Sequence, residues 1–166
     1  MHSQVNKFQG SANKNIGDAF LLVWKFPHDD IDSFDNELTL RPDNTRSSII
    51  ADLSLVSFLK IIAFISRSSQ IRRYGENREL QIRIPNYKVR MGFGLHSGWA
   101  IEGAIGSMFK IDASYLSPNV NIASRLEAAT KQYGVMILVS GEHRDMMTEE
   151  MQGLLREIDR VTVKGS

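Results

Sequence analysis

Cysteine is absent from all 166 residues. Its absence removes disulfides, zinc knuckles, iron–sulfur ligation and thiol nucleophiles at once, and is compatible with a reducing compartment. Net charge is nearly absent as well: 20 Lys and Arg stand against 19 Asp and Glu. A protein that grips nucleic acid mainly through phosphates carries a basic excess, so no nucleic-acid partner is expected. The polar stretch from Met1 to Ala12 has no signal-peptide core. The most apolar run, Ile49 to Ile65, is interrupted by Asp52 and Lys60 and falls short of a comfortable bilayer crossing. A soluble chain without a span of its own is expected, cytoplasmic, either free or as the intracellular part of a larger membrane-associated protein.

Several site motifs are missing too. His2, His28, His96 and His143 are scattered without metal-ligand spacing. Gly98 and Gly103 have the spacing of a phosphate-binding loop, but Ala104-Ile105 stands where Lys and Ser or Thr are required. Gly92-Phe-Gly94 opens like a dinucleotide fingerprint and fails at Ser97. No serine sits in a nucleophile elbow. His96, after an apolar strand, reads as a satisfied structural histidine.

What is present makes one domain: 42% apolar and 23% charged residues support a single core. Ala19 to Phe26 reads as a strand buried on both faces. Residues 27–48 hold six acidic residues and two prolines, and read as an exposed acidic loop that matches no EF-hand. Ile49 to Arg67 reads as a helix with Asp52, Ser57, Lys60 and Arg67 on its polar arc. Arg72 to Tyr87 reads as a connection.

From Lys88 to His96, apolar residues alternate with a face left bare by Gly92 and Gly94, where something can approach the backbone. A second strand follows over Trp99 to Ile105. Ser117-Pro118 and Gly134 bracket a helix as N-cap, first-turn proline and C-terminal glycine. Val135 to Val139 reads as a strand, Ser140 to Leu155 as one helix, and Glu157 to Val163 as a final strand. Helices covering a sheet follow from this order.

Three segments carry candidate chemistry. In Asn13-Lys-Asn-Ile-Gly-Asp18, Gly17 permits a tight turn that presents Asp18, a hard oxygen ligand suited to Mg²⁺. In Pro118-Asn-Val-Asn-Ile-Ala-Ser-Arg-Leu-Glu127, Asn121 and Arg125 share a helix face. In Val161-Thr-Val-Lys-Gly165, Lys164 offers a point charge for phosphate. Each segment taken alone reads more simply as turn chemistry, a solvated helix face or a surface lysine.

Together, residues 13–20, Arg90-Met-Gly-Phe-Gly-Leu-His-Ser-Gly98, Gly103-Ala-Ile-Gly-Ser107, Asn119 to Glu127 and Val163-Lys-Gly165 resemble the class III adenylyl/guanylyl cyclase catalytic domain in order and spacing. Lys110 to Pro118 is similar to protist versions. The resemblance implies an α+β, ferredoxin-like nucleotidyl cyclase fold, a mixed sheet covered by helices, over one domain spanning 1–166. It implies a head-to-tail homodimer or heterodimer with active sites at the seam, and conversion of ATP to cyclic AMP and pyrophosphate with Mg²⁺ or Mn²⁺. By position, Asp18 matches a metal ligand, Asn121 the ribose-orienting residue, Arg125 the group that stabilises charge on the transferring phosphate, and Lys164 the triphosphate lysine.

Lys14 and Ser114 match the base-contact positions. A lysine only donates, and adenine N1 only accepts, so Lys14 favours ATP over GTP. The family's first strand, with a second metal Asp in a Phe-x-Asp-Ile-like motif, lies upstream of Lys14. A chain beginning at Met1 is expected to lack it, to expose sheet edges, and to be weak or inactive alone. The alternatives are a guanylyl cyclase, a catalytically inactive cyclase-like module that dimerises with an active partner, and a binding domain with no nucleotide role.

Overall fold

The computed structural model describes residues 1–34, 37–40, 45–107 and 110–162. A short helix α1 (His2–Lys7) precedes a hairpin of β1 (Ser11–Ile16) and β2 (Ala19–Val23). A second hairpin, β3 (Ile31–Phe34) and β4 (Glu37–Leu40), leads to the long helix α2 (Thr45–Arg67). Two short helices follow, α3 (Ser69–Glu76) and α4 (Arg78–Arg83), then β5 (Phe93–Leu95). A third hairpin of β6 (Ile101–Ser107) and β7 (Lys110–Leu116) runs into α5 (Pro118–Tyr133) and β8 (Ile137–Val139). Helices α6 (Gly141–Asp145) and α7 (Glu149–Gln152) complete the described elements.

The expected elements hold where local signals are strong. Gly17 adopts φ +64°, and Ile16 pairs with Ala19, so Gly17-Asp18 is a two-residue hairpin turn. Ser117 caps α5 by accepting the Asn119 N–H at 3.0 Å, and Gly134 ends it at φ +67°. The bare glycine face of β5 is occupied by α5 itself. A Cβ on Gly94 would lie 2.3 Å from the Ala123 carbonyl oxygen. The two glycines therefore let helix backbone pack against strand backbone.

Other expectations are corrected. The acidic segment includes a turn at 28–30 and the β3–β4 hairpin, registered Ile31 with Leu40 through Phe34 with Glu37. Ile31, Phe34, Leu38 and Leu40 supply the strand-forming residues that the acidic composition masked. Residues 72–87 are largely helical, because Ser68 and Asn77 cap α3 and α4. The segment 140–155 divides into two helices where Asp52 accepts the Thr148 N–H (3.1 Å) and hydroxyl (2.7 Å), fixing Thr148 as a second N-cap. Residues 157–162 form no strand.

The α2 helix also differs from its expected face. Ser57 is fully buried, as are Ser47 and Ser54, while Ile49, Leu59 and Phe64 are exposed. Small serines let the helix sit close to its neighbours, whereas the polar arc placed Ser57 in solvent. By length and composition the 23-residue helix is long enough to cross a bilayer. Its Ile50, Ala51, Leu55, Phe58 and Ile61 nevertheless lie in the buried core with Val5, Phe93, Leu95 and Met147. Phe58 joins the β1–β2 side to β5, with its ring 5.6 Å from Trp24 and 4.7 Å from Phe93.

Among the described residues, the strands form four two-stranded sheets: β1–β2, β3–β4, parallel β5–β8, and β6–β7. Strand β2 was expected to be buried on both faces. It is only half covered, and Phe20 is 40% exposed. Asp18 to Leu22 and Arg90 to Gly94 line opposite sides of a cavity of about 380 Å³.

Candidate functional site

Lys14 lies on β1 and Ser114 on β7, 100 residues apart, yet the Lys14 ammonium donates to the Ser114 hydroxyl at 2.5 Å. Asn13 makes the parallel contact, its side-chain NH₂ donating to the Ala113 carbonyl at 3.2 Å. These bonds tie the two hairpins together, and Lys25 with Glu102 adds an exposed ion pair at 2.6 Å. Ser114 is buried. With Lys14 donating to its oxygen, its own O–H remains able to donate, and the ammonium has further hydrogens for a second acceptor. Sequence reasoning missed Asn13, whose buried Oδ1 has no hydrogen-bond partner; only its place beside Lys14 marks it.

Asn121 and Arg125 occupy an exposed face of α5. Asn121 shares a shallow concavity of about 420 Å³ with Trp99, Ile101, Leu116, Ser117 and Pro118. Trp99, Ile101 and Leu116 are 47%, 61% and 61% exposed, so an apolar rim surrounds this polar side chain. Asp18 sits elsewhere, exposed on the β1–β2 turn at the mouth of the 380 Å³ cavity. The two concavities share no lining residue. Lys14 meets Ser114 on β7, Asn121 lines the concavity at the β7–α5 junction, and Asp18 lines the other concavity. Lys164 lies outside the described residues.

Among the described residues, no three His, Asp or Glu side chains come together as a metal centre. Asp18, on an open turn where a Cβ on Gly17 would meet nothing within 4 Å, fits a role as one carboxylate sharing an ion with phosphate oxygens. It does not form a closed protein cage.

Beneath α5, two histidines are fully engaged. His96 Nδ1 lies 2.8 Å from Ser140 Oγ, and its Nε2 lies 3.0 Å from Asn119 Oδ1. His143 contacts Ser97 Oγ at 2.6 Å and Ser54 Oγ at 3.0 Å. Burial, with the nearby His96 adding to it, holds the His143 imidazole down at about 4, from an ordinary 6.5. Between those values the unfolded chain binds the proton and the folded chain does not, so stability falls as pH drops from 6.5 towards 4. The full loss is roughly 3 kcal/mol. Urea midpoints across that range should show this slope in the wild type and a shallower one in His143→Gln. Glu142 acts lower on the scale: its own backbone N–H, the Ser140 hydroxyl and His96 hold its carboxyl below 4.5.

The sequence, compared with known proteins, matches the model of the adenylate and guanylate cyclase catalytic domain over residues 1–166. An adenylate cyclase of Anabaena cylindrica is 31% identical over 105 residues, 62% of this chain and 21% of that protein. The terminal-differentiation-specific adenylate cyclase of Dictyostelium discoideum is 27% identical over 157 residues, 94% of this chain and 6% of that one. The chain therefore spans about a fifth or less of these relatives. A bacterial light-regulated adenylyl cyclase superposes with a TM-score of 0.60 at 22% identity, covering 89% of this chain and 35% of its own. The mixed α+β fold, with no closed barrel, is the one that superposition supports.

Proposed function

The chain belongs to the adenylate and guanylate cyclase catalytic-domain family, and on that premise we propose that it converts ATP to cyclic AMP and pyrophosphate at a seam between two cyclase domains. The observation that carries the choice of ATP is the Lys14–Ser114 pair. A donor-only ammonium beside a hydroxyl suits adenine, whose N1 accepts and whose amino group donates; guanine N1–H repels such a donor. Lys14→Glu should lower the ATP-to-GTP preference in kcat/KM by about 10-fold or more. Ser114 can turn its O–H toward the new carboxylate, so the fold should persist. An unchanged preference would remove Lys14 from base selection.

In the proposed reaction the ribose 3′-oxygen attacks the α-phosphorus. A new P–O bond forms, the bond to the β-phosphate bridging oxygen breaks, pyrophosphate leaves and the 3′-hydroxyl proton is lost to water. Asn121 orients the ribose, because its amide both donates and accepts. The Arg125 guanidinium sits where charge builds on the α-phosphate, and Lys164 holds the triphosphate. Asp18 would be the carboxylate of this chain that holds Mg²⁺ or Mn²⁺. When bound, such an ion lowers the pKa of the attacking hydroxyl and neutralises the leaving group.

The separation of Asp18 from Asn121 supports a site completed by a second chain, in which one protomer's turn faces its partner's α5. The exposed Trp99, Ile101 and Leu116 beside Asn121 are suited to such a seam. We place the domain in the cytoplasm, as a signalling unit of one cyclase domain spanning 1–166. A second reading is a nucleotide-binding module that regulates an active partner. ATP binding and heterodimer formation without turnover would select it.

A further inference from the structure

We infer that His96 is a positioning residue for the proposed site: its ring fixes the first turn of α5, and through that turn the placement of Asn121 and Arg125. The kinetic half of this inference rests on the cyclase reading; the structural half rests on geometry alone.

The direction of the bond between His96 and Asn119 is determined by the partners. Asn119 Nδ2 donates to the Trp99 carbonyl at 2.9 Å, which turns Asn119 Oδ1 toward His96. An amide oxygen only accepts, so His96 Nε2 carries the hydrogen. Ser140 Oγ accepts the His143 backbone N–H at 3.2 Å and lies 2.8 Å from His96 Nδ1, with the Glu142 carboxylate 3.7 Å from the same ring nitrogen. His96 thus donates through Nε2, both ring nitrogens have partners, and its side chain is 4% exposed.

The same logic fixes His143. Ser54 donates to the Ala51 carbonyl at 2.6 Å, so it accepts from His143 Nε2–H, and Ser97 donates to Nδ1. A continuous polar strut therefore runs from the core helix α2, through the segment after β5 and the N-cap of α6, to α5.

At the far end of the strut, polar contacts hold the first turn of α5, while beyond it the Ala123 backbone packs against Gly94. Pro118 brings no N–H. Ser117 donates to the Trp99 carbonyl at 2.6 Å, and Asn119 N–H reaches Ser117 Oγ. Gly98 leaves the space that the Asn119 amide fills, since a Cβ there would lie 2.3 Å from Nδ2. Asn121 follows Asn119 by two residues, and Arg125 comes one turn later. Both are exposed, so the helix backbone sets where they point. An ångström of drift in such groups costs on the order of 10²-fold in rate.

Two substitutions separate the two bonds of the ring. Glutamine places its amide NH₂ near ring Nε2 and keeps the bond to Asn119. Asparagine reaches only the Nδ1 position and keeps Ser140. His96→Asn should lower kcat for cyclic AMP formation by about 100-fold with KM changed by less than about threefold. It should also speed hydrogen exchange of the Ile122 to Arg125 amides, which bond back to the first turn. His96→Gln should stay within about threefold of wild type in both readouts, and Asn119→Ala combined with His96→Asn should lose no more than either alone.

Equal losses in the Gln and Asn variants, or an Asn variant with unchanged kcat per folded molecule, would overturn the inference. If the wild type makes no cyclic AMP, the cyclase reading fails separately and the exchange measurement decides. Wild-type exchange over 122–125 in His96→Asn would then end the proposal, and faster exchange would sustain it.

Discussion

Arg125→Ala should reduce cyclic AMP formation by about 10²- to 10³-fold, with kcat and kcat/KM falling together. The guanidinium is exposed on α5. Removing it should change folding stability by no more than about 0.5 kcal/mol, as for other surface positions. The loss therefore reads as transition-state stabilisation. Charge on the α-phosphate oxygens is greatest while the 3′-oxygen and the leaving oxygen are both partly bonded, and a donor fixed at that place acts mainly then. Steady-state kinetics beside a urea melt would separate the two effects. A variant that loses KM but keeps kcat would make Arg125 a ground-state contact instead.

Gly94→Ala should be the most damaging single methyl group in the described structure, costing about 3 kcal/mol or more. Its Cβ would lie 2.3 Å from the Ala123 carbonyl oxygen, 2.6 Å from the Glu127 nitrogen and 2.9 Å from the Leu126 Cβ. Two of these are helix backbone atoms, so α5 must move as a body. Gly103→Ala on β6 is the control: its Cβ would meet nothing within 4 Å, and stability should change by less than about 0.5 kcal/mol. Because α5 carries Asn121 and Arg125, the Gly94 variant should lose turnover even at temperatures where it stays folded. Urea midpoints for the two glycine variants test the comparison directly.

Gly92 and Gly94 also show what a sequence can disclose. Alternate glycines in an apolar strand are a local signal, and they correctly announced a close backbone approach at Gly92 and Gly94. Ser117-Pro118 and Gly134 delimited α5 for the same reason: caps act within one turn. Where a boundary depends on a distant partner, the sequence was silent. Thr148 ends the 140–155 helix because Asp52, 96 residues away, holds it. Ser57 was placed on a polar arc by its hydroxyl and is buried because it is small.

The candidate site divides in the same way. Gly17-Asp18 and the α5 pair could be read from spacing. The meeting of Lys14 with Ser114 depends on two hairpins 100 residues apart, and only the family resemblance joined them. The partners of His96, from 23 to 44 residues away, had no sequence signal beyond an apolar strand ahead of the ring.

The central claim is that one ATP is held between Asp18 of one chain and Asn121 and Arg125 of another. It is tested most directly by mixing Asp18→Asn and Arg125→Ala chains and measuring cyclic AMP from Mg- or Mn-ATP. Each variant alone should be near background. Random pairing makes about half the dimers mixed, each with one intact site of two, so the mixture should recover about a quarter of wild-type turnover. A mixture no more active than its parents, beside an active wild type, would place the whole site within one chain and contradict the account.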